Sequence, residues 1–293
     1  MPSRRRRPPP GWPAPSDPRG WAPAEPPRRR SRSAAVLPWL VVGVLAAVYG
    51  AQWLPTIAEG RLPWLSGLVP ATARDHPRPG VEEAGSRLAP EVAVAAPGGT
   101  YAFLETRPGP DGEPTPVGWS PCRPVHVVVD PAGAPSDFAT QVQGVLAEVS
   151  AATGLVLADD GTVTEAASAD RDPFQPEVFG DRWAPVLVRF TDEATVPDLA
   201  GDVAGVAHTL MMADPVTAEA FIVSGSVYLD VTLLDRPAGY LPVLRHEVAH
   251  LVGLDHVVDP TQLMHPVTPV DTFQQGDLAG LAAVGRGPCA PGL

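Results

Sequence analysis

Residues 240–266 read YLPVLRHEVAHLVGLDHVVDPTQLMHP, and this stretch decides how the folded part of the chain is interpreted. Its pattern predicts a helix over residues 240–252 that ends at Gly253. At about 100° per residue, His246 and His250 lie one turn apart on the same face of that helix. The opposite face is apolar, so we expect it to be buried. That face carries Leu244, Val248, Leu251 and Val252.

Three histidines in this stretch are spaced to bind one metal ion. Gly253 can adopt the left-handed conformation that ends a helix, after which the chain can bring His256 to His246 and His250. Three imidazoles leave a fourth coordination position open, which is typical of catalytic zinc. Glu247 lies beside them and is the candidate general base that takes a proton from water and passes it to a departing amine. The stretch therefore predicts one catalytic Zn²⁺ with Glu247 as the catalytic residue.

The same residues resemble the signature of an enzyme family. The spacing HExxHxxGxxH is filled by His246, Glu247, His250, Gly253 and His256, and Leu-Met-His-Pro follows at residues 263–266. This combination is similar to the metzincin zinc peptidases, whose Met-turn corresponds here to Met264. The Leu-Asp pair before the last histidine is similar to the matrixins within that group. The resemblance covers about residues 119–290.

The resemblance implies a fold and further site residues. We expect a twisted mixed sheet over the active-site helix, a closing helix at residues 275–284, and Met264 beneath the metal without binding it. The resemblance also implies an edge strand that aligns peptide substrates at residues 221–229, and a pocket wall at residues 266–269. The central residues of that expected edge strand are Ser224, Gly225 and Ser226. The Pro-Arg-Cys-Gly switch of matrixin prosegments is absent, so latency through a cysteine is not expected.

The order of elements along the chain independently predicts an α/β (α+β) layered domain. β-branched runs indicate strands, and the apolar spacing after Asp137 indicates an amphipathic helix that ends at Gly154. We expect that helix at residues 138–152 to bury Val142, Val145, Leu146 and Val149. The expected strands lie at residues 125–129, 155–157, 186–190, 205–211 and 221–229, with a long loop at 159–182.

The amino-terminal part of the chain predicts a membrane anchor. Nine of the 21 basic residues lie in the first 33 positions, and residues 34–54 are almost wholly apolar. About 20 such residues in a helix span a bilayer, and the positive-inside rule places the basic tail (1–33) in the cytoplasm. Residues 55–116, rich in Pro and Gly, are typical of a stalk, which leaves a peptidase domain at 117–293. A cleaved signal peptide, with secretion, is the alternative.

The partners expected from this organisation are protein or peptide substrates and a membrane. A basic tail alone is also typical of nucleic-acid binding, but its position beside an apolar span favours contact with anionic lipid. We therefore expect no nucleic-acid partner. We expect the domain to be extracytoplasmic and monomeric.

Cys122 and Cys289 are the two cysteines of the chain. In an oxidising compartment they can form one intramolecular disulfide, and two buried thiols are the alternative.

Two groups of residues raise the question of further metal sites. His208 matches one ligand of the second, structural zinc of matrixins, but Tyr228 stands roughly where another ligand is needed, so we expect a single zinc. Calcium is conceivable at an acidic loop, although a solvated loop is the alternative. That loop carries Asp192, Glu193, Asp198 and Asp202.

Two functions follow from these expectations. The first is a membrane-anchored zinc endopeptidase. The second is a membrane-anchored zinc-containing binding module without turnover, which an occluded cleft would produce even with intact ligands.

Overall fold

The computed structural model describes residues 70–93, 98–109, 112–236, 239–267 and 269–293, all within the unit Ala51–Leu293. The expected tail and membrane span, residues 1–33 and 34–54, lie outside the described residues and stay predictions. Among the described residues, none of the helices has the length and apolar character needed to cross a bilayer.

A five-stranded mixed sheet forms the centre of the domain. Its strands are β4 (Val125–Asp130), β5 (Leu157–Thr162), β6 (Val186–Thr191), β7 (Gly205–Ala213) and β8 (Ala220–Asp230). They lie in the order β5-β4-β6-β8-β7. The first four are parallel to one another, and β7 runs antiparallel to β8 at one edge. The α/β class expected from the sequence is therefore confirmed.

Four α-helices accompany the sheet. They are α1 (Phe138–Thr153), α2 (Pro176–Phe179), α3 (Leu241–Leu251) and α4 (Gln275–Val284). Short 3₁₀ turns lie at Ala71–Ala73, Pro197–Leu199 and Val231–Asp235. The predicted bounds of α1, α3 and α4 agree within one residue, because each has a clear apolar period or a defined end. The expected loop at 159–182 contains the end of β5 and all of α2.

The apolar face of α1 forms much of the main core. Its buried residues include the four expected ones, Val142, Val145, Leu146 and Val149. The helix ends at Gly154 in the left-handed conformation, with φ +71°, as the sequence indicates. These side chains pack with α3 and with alternate residues of the inner strands, such as Val127, Val188 and Leu229.

A smaller core covers the other face of the sheet. It contains Val128, Leu187 and Tyr228, which alternate with the residues of the main core along their strands. Because both faces are covered, the inner strands read as nearly continuous apolar runs. Helices α1, α3 and α4 contribute to the main core, α3 through Leu244, Val248 and Leu251, whereas Phe179 of α2 packs against the smaller core.

The described residues of the expected stalk contact the domain instead of extending from it. Arg74 forms an ion pair with Asp181 at 2.7 Å, and Glu83 forms one with Arg123 at 3.0 Å. Two short strands, β2 (Thr106–Pro108) and β3 (Pro114–Pro116), pair with each other. The described residues from 70 onwards thus belong to the same compact unit as residues 117–293. The Pro and Gly content of this segment did not indicate these contacts, because composition carries no information about long-range ion pairs.

Two more strands bring that segment to the end of α3. β1 (Ala102–Phe103) pairs antiparallel with β9 (Leu254–Asp255), which directly follows Gly253.

A disulfide joins Cys122 and Cys289, with 5.3 Å between their Cα atoms. It connects Cys122, three residues before the start of β4, to the segment after α4. The disulfide expected from the sequence is therefore confirmed, and the alternative of two buried thiols is not.

Candidate metal centre

The three histidines of the motif converge on one point. The Nε2 atoms of His246 and His250 lie 3.0 Å apart, those of His246 and His256 3.0 Å, and those of His250 and His256 3.2 Å. Three nitrogen ligands of a tetrahedral zinc ion, each about 2.0–2.1 Å from the metal, lie about 3.3 Å from one another. The triangle of Nε2 atoms therefore fits a zinc ion within a few tenths of an ångström.

Backbone carbonyl groups set the protonation of two of these rings. His246 Nδ1 donates to the Leu263 carbonyl oxygen at 2.8 Å, and His250 Nδ1 donates to that of Leu254 at 2.7 Å. A carbonyl oxygen only accepts hydrogen bonds, so the proton of each neutral ring lies on Nδ1. Their Nε2 lone pairs then face each other without a proton between them. These lone pairs repel one another, and a cation placed among them would remove that repulsion.

Burial favours the neutral, metal-binding form of these rings. It lowers the pKa of His246 and of His250 from 6.5 to about 4, and the neighbouring imidazoles act in the same direction. The pKa of the more exposed His256 is also lowered, mainly by burial. Because a metal binds only the unprotonated imidazole, competition from protons is weak at neutral pH.

Glu247 lies one residue along α3 from His246 and is only 6% exposed. Burial raises the pKa of its carboxyl group from 4.5 to about 8, while a hydrogen bond from the Ala207 amide acts in the opposite direction. Ala207 belongs to β7, so the sheet edge holds this carboxyl group in place. A nearby cation would favour the carboxylate and lower this pKa. With a cation nearby, the group would therefore be a carboxylate, which is the form that accepts a proton.

A cleft of about 840 Å³ opens beside these residues. The first part of β7 and the residues before it form one side, and one face of α3 with the turn after it forms another. Pro266 and Val267 line it too, within the stretch expected as a pocket wall. The cleft lining includes His246, Glu247, His250 and His256, so the candidate ligands and base face a common open space.

The expected edge strand was wrong. β8, which contains Ser224, Gly225 and Ser226, is an inner strand, since β6 and β7 pair with its two sides. Ser224 and Ser226 are at most 1% exposed, and the Gly225 carbonyl oxygen accepts a hydrogen bond from Arg171 Nη1 at 3.2 Å. The edge strand beside the cleft is β7. The position of residues 221–229 along the chain suggested that β8 is the edge strand. In the sheet, however, β8 lies between β6 and β7.

Met264 is 1% exposed and lies in the main core beside Val257 and Leu254. Asp277, on α4, holds this turn: its carboxylate accepts from the amides of Leu263 at 2.8 Å and Met264 at 3.2 Å. Reasoning from the sequence missed Asp277. A signal existed, because Gln274 and Asp277 form the capping box that begins α4.

Three of the four acidic side chains of the loop considered for calcium contact residues nearby in the sequence. Asp192 accepts from the amide and hydroxyl of Thr195, and Glu193 accepts from the Gly201 amide. Asp198 contacts His208 Nε2 at 2.9 Å, and Asp202 lines the cleft. Within the described part of the chain, the four do not form a cluster that could share one cation. Tyr228, near His208, is buried and its hydroxyl donates to the Ser168 carbonyl oxygen.

Comparison with known proteins adds no family to this description. No protein-family model matches the chain, and no curated protein matches it. The likeness to the metzincins therefore rests on the residues of the motif, read together with the convergence of His246, His250 and His256 on one point.

Proposed function

We propose that the chain is a zinc-dependent endopeptidase of the metzincin type, with a matrixin-like arrangement of its catalytic domain. His246, His250 and His256 hold the metal, and Glu247 is the general base. The observation that carries the proposal is the triangle of Nε2 atoms, with sides of 3.0 to 3.2 Å, beside a buried carboxyl group in an open cleft.

The metal, when bound, would supply the Lewis acidity that makes water a nucleophile near neutral pH and polarises a peptide carbonyl group. Glu247 takes a proton from the attacking water and transfers it to the departing amine. Its burial and the Ala207 amide keep the carboxyl group in one position through both proton transfers.

The sheet topology supports a peptide substrate. β7 is an edge strand, and Gly205, Val206 and Ala207 at its start line the cleft. An edge strand has backbone groups available to pair with an extended peptide. Peptide binding along β7 would place a peptide bond next to the histidines.

The open cleft favours this proposal over a binding module without turnover, for which an occluded cleft was the expected cause. The expected anchor places the domain outside the cytoplasm, and this localisation remains part of the proposal.

Substitution of the base tests the proposal. The full-length Glu247→Ala protein should keep one zinc per chain yet lose cleavage of an unfolded protein substrate. Glu148→Ala is a matched control, because Glu148 forms an exposed ion pair with Arg245 outside the cleft and should leave cleavage unchanged. If the Glu247→Ala protein cleaves as fast as the parent, Glu247 is not the base. If the parent binds zinc and does not cleave, the chain is a binding module.

A further inference from the structure

The turn that carries the third histidine is held from outside by residues 98–109, which we call the strap. His256 is exposed and directly follows the short strand β9, whereas His246 and His250 lie on the helix itself. The strap contains β1, which pairs with β9 just before His256. Ala102 lies opposite Asp255, and Phe103 lies opposite Leu254. The next residue continues the pairing, since the Leu104 amide donates to the Gly253 carbonyl oxygen at 3.0 Å.

The same turn is tied to a second ligand. Leu254, opposite Phe103, is fully buried, and its carbonyl oxygen accepts from His250 Nδ1. The strap therefore pairs with the residue that orients His250 and with the residues that lead to His256. A shift of the strap moves both ligands.

Close packing fixes the strap on the domain. A side chain at Gly276 of α4 would meet the Thr100 carbonyl oxygen, and one at Gly280 would meet Tyr101 Cβ at 2.8 Å. These two glycines, one turn apart, let the strap lie directly on α4. Phe103 packs against the main core.

Leu104 also contributes a side chain to the cleft. It is 38% exposed and lines the same cavity as the three histidines. Other apolar residues of that lining include Val206, Val243 and Val267. A cleft with this lining suits a substrate whose side chains near the cleaved bond are apolar.

We propose that Leu104 is both a positioning residue and a specificity-determining residue of this site. Its amide holds the turn that carries His256, and its side chain bounds the space for an apolar substrate residue. The proposal rests on the proposed function. It also assigns residues 98–109, which the sequence suggests are part of a stalk, to the candidate active site.

Zinc affinity in full-length variants tests the positioning role. Leu104→Pro removes the amide donor, and Leu104→Ala keeps it. We expect Leu104→Pro to bind zinc about tenfold or more weakly in competition with a chelator, as for loss of other groups that orient ligands. Leu104→Ala, which keeps the amide donor, should bind zinc as tightly as the parent. Parental zinc affinity in Leu104→Pro would overturn the proposal.

Hydrogen exchange tests the same role without altering the strap. Coupling is reciprocal, so zinc that orders His256 must also stabilise the strand paired with its turn. Zinc should slow amide exchange across residues 102–104 in the parent and not in His256→Ala. If zinc leaves exchange at 102–104 unchanged in the parent, the strap does not position the ligand.

Peptide selectivity tests the side chain. Leu104→Ala should shift kcat/KM towards peptides with larger apolar residues, and Leu104→Trp towards smaller ones, with zinc content unchanged. An unaltered preference in both variants would overturn the specificity role. These failures are distinct from failure of the proposed function, in which the parent itself binds no zinc or cleaves nothing.

Discussion

Gly205 lies directly against Glu247. A methyl group added at Gly205 would meet Glu247 Cγ at 2.8 Å and Oε1 at 3.0 Å, and Val243 Cγ1 at 2.8 Å. These distances are shorter than ordinary van der Waals contacts. The absence of a side chain at the start of β7 thus allows the edge strand and the candidate base to lie in contact.

Gly205→Ala should therefore displace the Glu247 carboxyl group. We expect kcat to fall by about tenfold or more while zinc content is unchanged, because small displacements of a catalytic group are costly. Gly144→Ala is the control: Gly144 lies in α1, and a Cβ there meets no atom within 4 Å. Steady-state kinetics on one peptide measure both. Parental kcat in Gly205→Ala would show that this contact does not position the base.

Zinc-free protein should be most stable near pH 6.5. The pKa values of His246 and His250 fall on folding from 6.5 to about 4, so their contribution is lost as the pH drops through that range. The pKa of Glu247 rises on folding from 4.5 to about 8, so stability also falls as the pH increases towards 8. Urea unfolding of chelator-treated protein between pH 4 and 9 measures this profile.

Glu247→Gln separates the two limbs of that profile. Without the carboxyl group, the fall in stability between pH 6.5 and 8 should disappear, while the acidic limb remains. A persistent alkaline fall in Glu247→Gln would assign it to another group.

Asp277→Asn should loosen the turn at Met264. The carboxylate accepts from the amides of Leu263, Met264 and Gln274, and an asparagine would turn an NH₂ group towards one of them. We expect a loss of about 1–3 kcal/mol in the free energy of unfolding. Asp271→Asn, at an exposed position, is the control and should change little. Equal stability of the two variants would contradict the anchoring role of Asp277.

Loss of the disulfide should destabilise the domain. Cys122 and Cys289 close a loop with a sequence separation of 167 residues. Replacing both by serine should lower the free energy of unfolding by about 2–5 kcal/mol. Denaturation of the parent with and without a reductant checks this. A reductant should leave the double variant unaffected; if it leaves the parent unaffected as well, the bridge contributes nothing.

The local elements could be predicted from the sequence because their signals are local. The apolar period of α1 and its terminal Gly154, and the helix that carries His246 and His250, are each determined by residues within one or two turns. The approach of His256 also follows from a short spacing after Gly253.

The order of strands and the role of the strap could not be predicted in this way. The position of β8 between β6 and β7 depends on pairing between strands. The residue pattern of either strand alone does not encode that pairing. The contacts of Arg74 with Asp181 and of Leu104 with Gly253 join residues more than 100 positions apart. Such contacts leave no periodic pattern in the sequence. The Pro- and Gly-rich composition was therefore the remaining signal, and it indicated a stalk.

The location of bound metal tests the central claim most directly. A crystal structure of zinc-loaded protein, with anomalous scattering recorded at the zinc edge, should show one peak about 2.0–2.1 Å from Nε2 of each of His246, His250 and His256. A structure in which zinc-loaded crystals show no peak among these rings, or a peak bound without His256, would contradict the account.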